Sequence, residues 1–204
     1  MSDIYHDGNR QLQARFDTSR LADRVKDIVK DSIDVHGKAF IEQRDMFFLA
    51  TVDEQGRANC SYKGGEPGFV RVLDEHTIAF PNYDGNGMYL SMGNVMKTRQ
   101  VGMLFIDFED QWRMRLNGEA TIDLQDPLMP EYPEAQFIVR VHAREVFPNC
   151  PRYIHQYQLV KRSKFVPKSE CATPVPSWKT GGWVDDVLPE NDAARDGSRE
   201  VLDR

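Results

Sequence analysis

The stretch TIAFPNYDGNGMYLSMGN, residues 77–94, decides how this chain is interpreted. It opens with a short β-type run and continues through a dense cluster of turn-forming residues at positions 81–87. Apolar residues then return at roughly helical spacing with Met88, Leu90 and Met92. The pattern predicts a strand, a polar glycine-containing loop and a helix start. Such a start suits an anion such as a phosphate, and it is equally typical of a plain connection.

A hairpin upstream of this stretch carries a polar strand face. Residues 46–52 read as a buried strand, and after a turn residues 57–63 form its partner. Because side chains alternate along a strand, Asn59, Ser61 and Lys63 share one face of that partner. A polar face on an otherwise apolar hairpin can meet a ligand.

A second strand pair follows the predicted helix. Residues 101–108 read as a buried strand, and residues 112–124 as a long strand paired with it. Arg113 and Arg115 share one face of the long strand, and Gly118 marks a bend or bulge. Two arginines on one face are also typical of a solvated edge, so on the residues alone their role stays open.

The order of elements predicts the fold class. Six or seven strands in a hairpin-rich order, with few helices between them, indicate a mainly β protein built as an antiparallel Greek-key barrel with peripheral helices. An apolar stripe from Leu21 to Ile33 predicts an amphipathic helix before the barrel. We therefore divide the chain into a helical lead-in (1–37), a barrel domain (38–162), an extended segment docking on the barrel (163–188) and a disordered tail (189–204).

Composition narrows the classes of partner. The net charge is −6 and no basic run offsets it, which argues against a nucleic-acid surface. No apolar stretch approaches the length of a membrane span and the start of the chain has no signal-like segment, so we expect a cytoplasmic protein without membrane contact. Three cysteines at wide spacing favour reduced thiols, packed as small buried side chains, over a disulfide framework or a zinc site.

Motifs for enzyme chemistry are missing from the sequence. It has no nucleophile elbow, P-loop, dinucleotide-binding GxGxxG or paired metal-binding histidines, and its five histidines are dispersed. We predict no metal site, and the sequence does not identify a catalytic residue. A bound cofactor is then the simplest carrier of any chemistry.

Taken together, the order of these segments resembles the pyridoxamine 5′-phosphate oxidase-like family of flavin-binding split barrels, in its flavin-nucleotide-binding branch rather than the oxidase itself. The resemblance covers roughly residues 38–180 and rests on FLATVDEQGRANCSYKGG, TIAFPNYDGNGMYLSMGN, VGMLFIDFEDQWRMRLNGEA, NCPRYI and PSWK.

This resemblance implies a split barrel that forms a homodimer and binds FMN in grooves at the interface, touched by both chains. By motif position it implies eight cofactor-binding residues: Asn59, Ser61 and Lys63 along the flavin, Asn82, Tyr83 and Asn86 near its phosphate, and Arg113 and Arg115 on the strand with the family's Gln/Arg pattern.

One departure from the oxidase pattern bears on activity. Where the oxidase loop has an Arg-Lys pair for the phosphate, this chain has Asn86, Gly87 and Met88, and the substrate-holding Arg and His near the oxidase C-terminus are absent. The resemblance therefore implies an FMN-dependent oxidoreductase on another small molecule, with a nicotinamide or deazaflavin donor. The alternative is a non-catalytic flavin or haem carrier.

Overall fold

The computed structural model describes residues 4–195 and 197–203, in which seven strands form one antiparallel sheet. The helices are α1 (Asp7–Arg15), α2 (Ser19–Lys26), α3 (Val35–Glu42) and α4 (Leu90–Thr98). The strands are β1 (Met46–Val52), β2 (Ala58–Gly64), β3 (Arg71–Asp74), β4 (Thr77–Asn82), β5 (Gln100–Asp107), β6 (Trp112–Asp123) and β7 (Phe137–Pro148), with a small parallel pair, β8 (Val175–Pro176) and β9 (Val201–Leu202), outside the sheet.

The sheet curls around an aromatic core. Its strand order is β2-β1-β5-β6-β7-β4-β3, so β1 and β4 each lie one strand in from opposite edges. Phe47 of β1 nevertheless packs against Phe80 of β4, with ring centroids 5.0 Å apart, and against Phe105 of β5 at 5.3 Å. All three rings are buried. This contact across the sheet confirms the predicted mainly β split barrel, with seven strands.

Pairing between β1 and β2 decides which side chains of β2 face inward. Ser61 pairs with Leu49 and Lys63 with Phe47, both of which are fully buried in the core. Directly paired residues point to the same face of a sheet. Asn59, Ser61 and Lys63 therefore lie on the barrel side of this edge strand, where α4 leaves room beside them.

The bulge predicted at Gly118 is confirmed. The register between β6 and β7 shifts between Asn117 and Gly118. A Cβ atom at position 118 would come within 2.1 Å of the carbonyl oxygen of His142 on β7. Only glycine allows this close approach, which lets the long strand bend around the core.

The single amphipathic helix predicted over the stripe from Leu21 to Ile33 is wrong. Helix α2 ends at Lys26, and the chain then pairs with β7, where Lys30 and Val146 exchange two backbone hydrogen bonds of 3.0 and 2.7 Å. Leu21 is consequently exposed, whereas Ile33 is buried. The backbone N–H and C=O of Lys30, which the apolar spacing predicted to be helical, instead form hydrogen bonds with Val146 of β7.

The C-terminal residues also differ from expectation. Where the sequence indicates a disordered end from residue 189, Asp192 accepts a hydrogen bond from buried Lys179, Arg199 pairs with Glu134 at 2.8 Å, and β9 pairs with β8. Charged partners hold this segment, and a hydropathy argument does not detect them.

All three cysteines are free, as predicted, but Cys60, Cys150 and Cys171 are exposed rather than buried. Cys60 lies on the outer face of β2, opposite the polar face, because side chains alternate along the strand. Within the described part of the chain, no helix combines the length and apolar character that crossing a membrane requires.

Candidate functional site

A groove of about 270 Å³ lies between β2, the loop of residues 83–89 and the first turn of α4. We call it the loop groove. It brings together six of the eight site residues predicted from the sequence: Asn59, Ser61, Lys63, Asn82, Tyr83 and Asn86. Segments far apart in the sequence thus converge because β2 and the loop flank the same opening of the barrel.

A short hydrogen-bond chain holds the wall of the loop groove. Ser91, in the first turn of α4, donates from its hydroxyl to Asn59 Oδ1 at 3.2 Å, and its Oγ lies 3.0 Å from Ser61 Oγ. Because Asn59 accepts through its carbonyl oxygen, its amide NH₂ stays available to a ligand. Hydroxyl and amide donors of this kind suit an anionic or carbonyl-bearing ligand.

Lys63 is the charged side chain of the groove wall. Burial lowers the pKa of its ammonium below the usual 10.5. Among the described residues Lys63 forms no salt bridge, and its surroundings bring it no compensating carboxylate. A desolvated ammonium without a counter-charge is costly. This arrangement favours binding of an anion in the groove.

The loop ends in a helix start that is open to the groove. Gly87 adopts φ +75° and Tyr89 φ 48°, both in the left-handed region, and the chain then turns directly into α4. Tyr89 supplies no side-chain cap, and Gly93 donates the first helical bond, to the Tyr89 carbonyl at 2.7 Å. The N–H groups of the preceding first-turn residues therefore lack helical acceptors. Together with the helix dipole they favour an anion.

Two tyrosines and two amides fix both ends of the loop. Asn82 donates to Gln136 Oε1 at 2.9 Å and to the Tyr83 carbonyl at 3.1 Å, and Tyr89 donates its hydroxyl proton to the same Gln136 oxygen at 2.9 Å. Asn82 is buried, and both of its amide protons are used, so it supports the loop. Burial raises the pKa of Tyr83 to about 12, which keeps this phenol neutral and able to donate.

Arg113 and Arg115 share a face, as predicted, but the structure does not bring them to the loop groove. Arg115 pairs with Leu104 of β5, and Leu104 pairs with Phe48 of β1, so these three side chains point to the same face of the sheet. Each of them has a neighbour along its strand that is buried in the core, so this face is the outer one. Both arginines therefore lie on the outer face of the sheet, opposite Lys63. Arg115 is exposed, and Arg113 has a buried Nε without a partner among the described residues.

The sequence profile of the pyridoxamine 5′-phosphate oxidase family matches residues 33–165, which is nearly two thirds of the chain. The chain belongs to this family. The match spans every strand of the large sheet and the whole loop groove, and it ends at residue 165, before β8.

Solved structures similar to this family member are distant in sequence. They include HupZ of Group A Streptococcus (17% identity, TM-score 0.47, 62% of this chain and 99% of that one) and an FMN-binding protein of Syntrophomonas wolfei (13%, 0.44, 68% and 97%). A third is the haem storage protein HutZ of Vibrio cholerae (18%, 0.40, 54% and 89%). Among curated proteins, none matches the sequence.

Sequence reasoning missed two residues that shape the site of this family member. Ser91 falls among the apolar residues from which the helix was predicted, and a serine at a helix start next to a polar strand is the signal that could have revealed it. Gln136 lies 54 residues after its partner Asn82, and no local pattern marks it.

Proposed function

We propose that this chain is a flavoprotein that binds FMN in the loop groove. The observation that carries the proposal is the half-buried ammonium of Lys63, which lacks a counter-charge among the described residues and lines the same groove as the open start of α4. A phosphate monoester satisfies both groups at once. The family supports the proposal, because it supplies the precedent for a flavin in this barrel.

The size of the cavities supports a cofactor with a charged end and a larger, less polar end. The loop groove adjoins a cavity of about 600 Å³, and the two share Lys63, Asn82, Tyr83 and Gly85. The walls of the larger cavity include Phe69, Phe165 and Pro167. Combined, the two volumes fall within the range of small-molecule and cofactor sites, roughly 300–1,000 Å³. In this proposal Lys63, Ser61 and the first turn of α4 hold the phosphate.

The charge of the phosphate supports a homodimer. Lys63 alone does not neutralise a dianion, and the loop supplies Asn86, Gly87 and Met88 where the oxidase has basic residues. Arg113 and Arg115 lie on the outer face, which also exposes Tyr62 at 62%. A second copy packed on that face covers this aromatic side chain and carries its arginines toward the first copy's groove. We therefore propose that each site is completed by the partner.

For activity we propose an oxidoreductase that acts on a small molecule, with a nicotinamide or deazaflavin as electron donor. The bound flavin supplies the electron transfer. The chain's own part is to bind and orient: Lys63 and α4 fix one end, and neutral Tyr83 and the Asn59 amide donate hydrogen bonds along the groove. Nothing in the described lining requires a protein nucleophile for that chemistry.

A carrier without turnover is the second candidate, with flavin or haem as cargo. The loop groove favours flavin over haem because its lining contains no histidine, and histidine is a frequent axial ligand of haem iron. A carrier and an enzyme share the same flavin site, so the donor decides between them.

One series of spectra tests this proposal. Freshly purified protein, and apo-protein titrated with FMN, should show a flavin spectrum that shifts on binding, and riboflavin should bind at least about tenfold more weakly because it lacks the charged hydrogen bonds. Anaerobic addition of NADH, NADPH or a reduced deazaflavin should bleach an enzyme's flavin with one donor and leave a carrier's unchanged. A haem Soret band without flavin binding would contradict the FMN assignment.

A further inference from the structure

Lys179 is a buried lysine in the C-terminal segment, which follows residues 33–165, the part of the chain that the family profile matches. Its side chain is only 6% exposed, and its ammonium donates to Asp84 Oδ2 at 2.5 Å and to Asp192 Oδ2 at 2.7 Å. Asp192 is equally buried, whereas Asp84 is 61% exposed. One cation therefore joins two carboxylates that lie 108 residues apart in the chain.

The two carboxylates belong to different parts of the molecule. Asp84 lies in the loop of residues 83–89, which forms one wall of the loop groove, and its neighbours Tyr83 and Gly85 both line that groove. Asp192 lies in the last part of the C-terminal segment, just before a short 3-10 turn, Ala193–Arg195. The Lys179 ammonium is thus a bridge between the groove wall and the C-terminal segment.

A cavity of about 810 Å³ separates the loop from the C-terminal segment, so the loop is not packed tightly from behind. The same loop residues face the loop groove on one side and this cavity on the other: Tyr83, Gly85, Asn86, Gly87 and Tyr89. Where apolar packing is thin, a short charged hydrogen bond supplies the restraint. The bridge spans the cavity at the loop's N-terminal end, opposite the Tyr89–Gln136 bond at its other end.

The C-terminal segment is itself held firmly enough to act as an anchor. Arg199 pairs with Glu134 at 2.8 Å and donates to the Thr173 carbonyl at 3.2 Å, and β9 pairs with β8. Val175 and Val184 are buried. These contacts attach the segment near β7, so Lys179 has a fixed base from which to hold Asp84.

We propose that Lys179 is a positioning residue for the loop groove: through Asp84 it holds the loop of residues 83–89 in the conformation that receives the cofactor's phosphate. The proposal rests on the proposed FMN site for its functional consequence, but the restraint on the loop exists without ligand. In this account the segment after residue 165 is a strap that stabilises the loop, in which Asn86, Gly87 and Met88 stand where the oxidase has its basic pair.

Hydrogen exchange of the ligand-free protein tests the restraint independently of any cofactor. Peptides covering residues 83–89 and 186–195 are followed by mass spectrometry in wild type, Lys179→Met, Asp84→Asn, Asp192→Asn and the exposed-lysine control Lys164→Met. Asp84→Asn frees only the loop, so we expect faster exchange there by about tenfold, with the C-terminal peptide unchanged. Asp192→Asn should make exchange faster in the C-terminal peptide and leave the loop unchanged. Lys179→Met should make exchange faster in both peptides, and Lys164→Met should change neither.

Cofactor titration tests the functional consequence in the same variants. Asp84→Asn and Lys179→Met should raise the Kd for FMN by about tenfold, the worth of roughly one charged hydrogen bond, and that for riboflavin by much less. Asp84 is exposed, so its amide variant is not expected to unfold, and it keeps the test decisive if Lys179→Met folds poorly.

The outcomes separate the two proposals. Unchanged loop exchange in both Asp84→Asn and Lys179→Met overturns the positioning role. If loop exchange is faster in the variants but the wild-type protein binds no FMN, the restraint on the loop is supported and the FMN site is contradicted. Faster exchange with equal losses of FMN and riboflavin affinity overturns the assignment of the loop to the phosphate.

Discussion

The cations on the two faces of the sheet differ in their exposure to solvent. Lys63 lies on the inner side of β2, half-buried, with its pKa lowered by desolvation, whereas Arg115 lies exposed on the outer face of β6. A partly desolvated cation is stabilised by an anion that binds in its groove. An exposed arginine stays hydrated until a second surface covers it. In the homodimer that we propose, Lys63 of one chain and an arginine from the partner's outer face complete the same anion site.

The largest effect is expected at Lys63, the half-buried cation of the loop groove. Lys63→Met keeps the packing of the stem and removes the charge, and it should weaken FMN by about 2–3 kcal/mol because a charged hydrogen bond is lost. Riboflavin affinity should change little, as measured by isothermal titration. The ligand-free variant should melt no lower than wild type, since removing a half-buried charge that forms no salt bridge removes a desolvation cost. An equal loss for both ligands would place the phosphate elsewhere.

The outer face should show a smaller loss that depends on the partner. Arg115→Ala is expected to weaken FMN by about 1.5 kcal/mol, with Arg113→Ala as the comparison on the same face.

Mixed dimers sharpen this prediction. When Lys63→Met and Arg115→Ala subunits are combined, a shared site leaves one wild-type groove in each heterodimer, so half of the sites should regain the wild-type affinity. If both cations belonged to one subunit's site, every groove in the heterodimer would stay defective. A monomeric mass by light scattering at micromolar concentration would contradict the dimer altogether.

A pH titration compares the same two cations. Because the pKa of Lys63 is lowered from 10.5, its charge is lost at a lower pH than that of an ordinary lysine, whereas arginine stays charged. FMN affinity should therefore fall as the pH rises from neutral toward 10.5, and riboflavin affinity should fall less. The FMN-specific fall should be absent in Lys63→Met. A fall of equal size in that variant would assign the titration to another group.

The smallest effect is expected at the hydrogen-bond chain of the groove wall. Ser91→Ala removes the hydroxyl that links Asn59 and Ser61, and the expected loss of FMN affinity is about 1 kcal/mol, the worth of a neutral hydrogen bond. Ser169→Ala, at an exposed position outside the cavities, is the matched control, and it should change nothing measurable. A control loss as large as that of Ser91→Ala would show that the effect is not local to the groove.

Alternation along single strands predicted much of this site. The period of two placed Asn59, Ser61 and Lys63 together and put Arg113 beside Arg115, and both groupings hold in the structure. Periodicity within one strand cannot say whether the faces of two separate strands coincide. That answer depends on the pairing of β2 through β1 and β5 to β6, which is a property of the whole sheet.

Long-range polar contacts account for most of what the sequence did not reveal. The Lys179 bridge joins residues that no local sequence pattern relates. The acidic composition after residue 189 predicted disorder, so Asp192 was not recognised as the partner of a buried lysine. The fold was more accessible, because strand spacing and turn residues recur along the chain. A long-range contact also explains why the helix predicted from Leu21 to Ile33 was wrong: Lys30 pairs with Val146 of β7 instead of continuing α2.

A crystal structure of the protein grown with FMN would show whether the two cations of one site come from two subunits. We expect a homodimer with the phosphate within hydrogen-bonding distance of Lys63 Nζ and the first-turn N–H groups of α4, and with an arginine from the partner's outer face completing the site. A phosphate bound away from Lys63 and α4, or a flavin held within one subunit with both arginines in solvent, would contradict it.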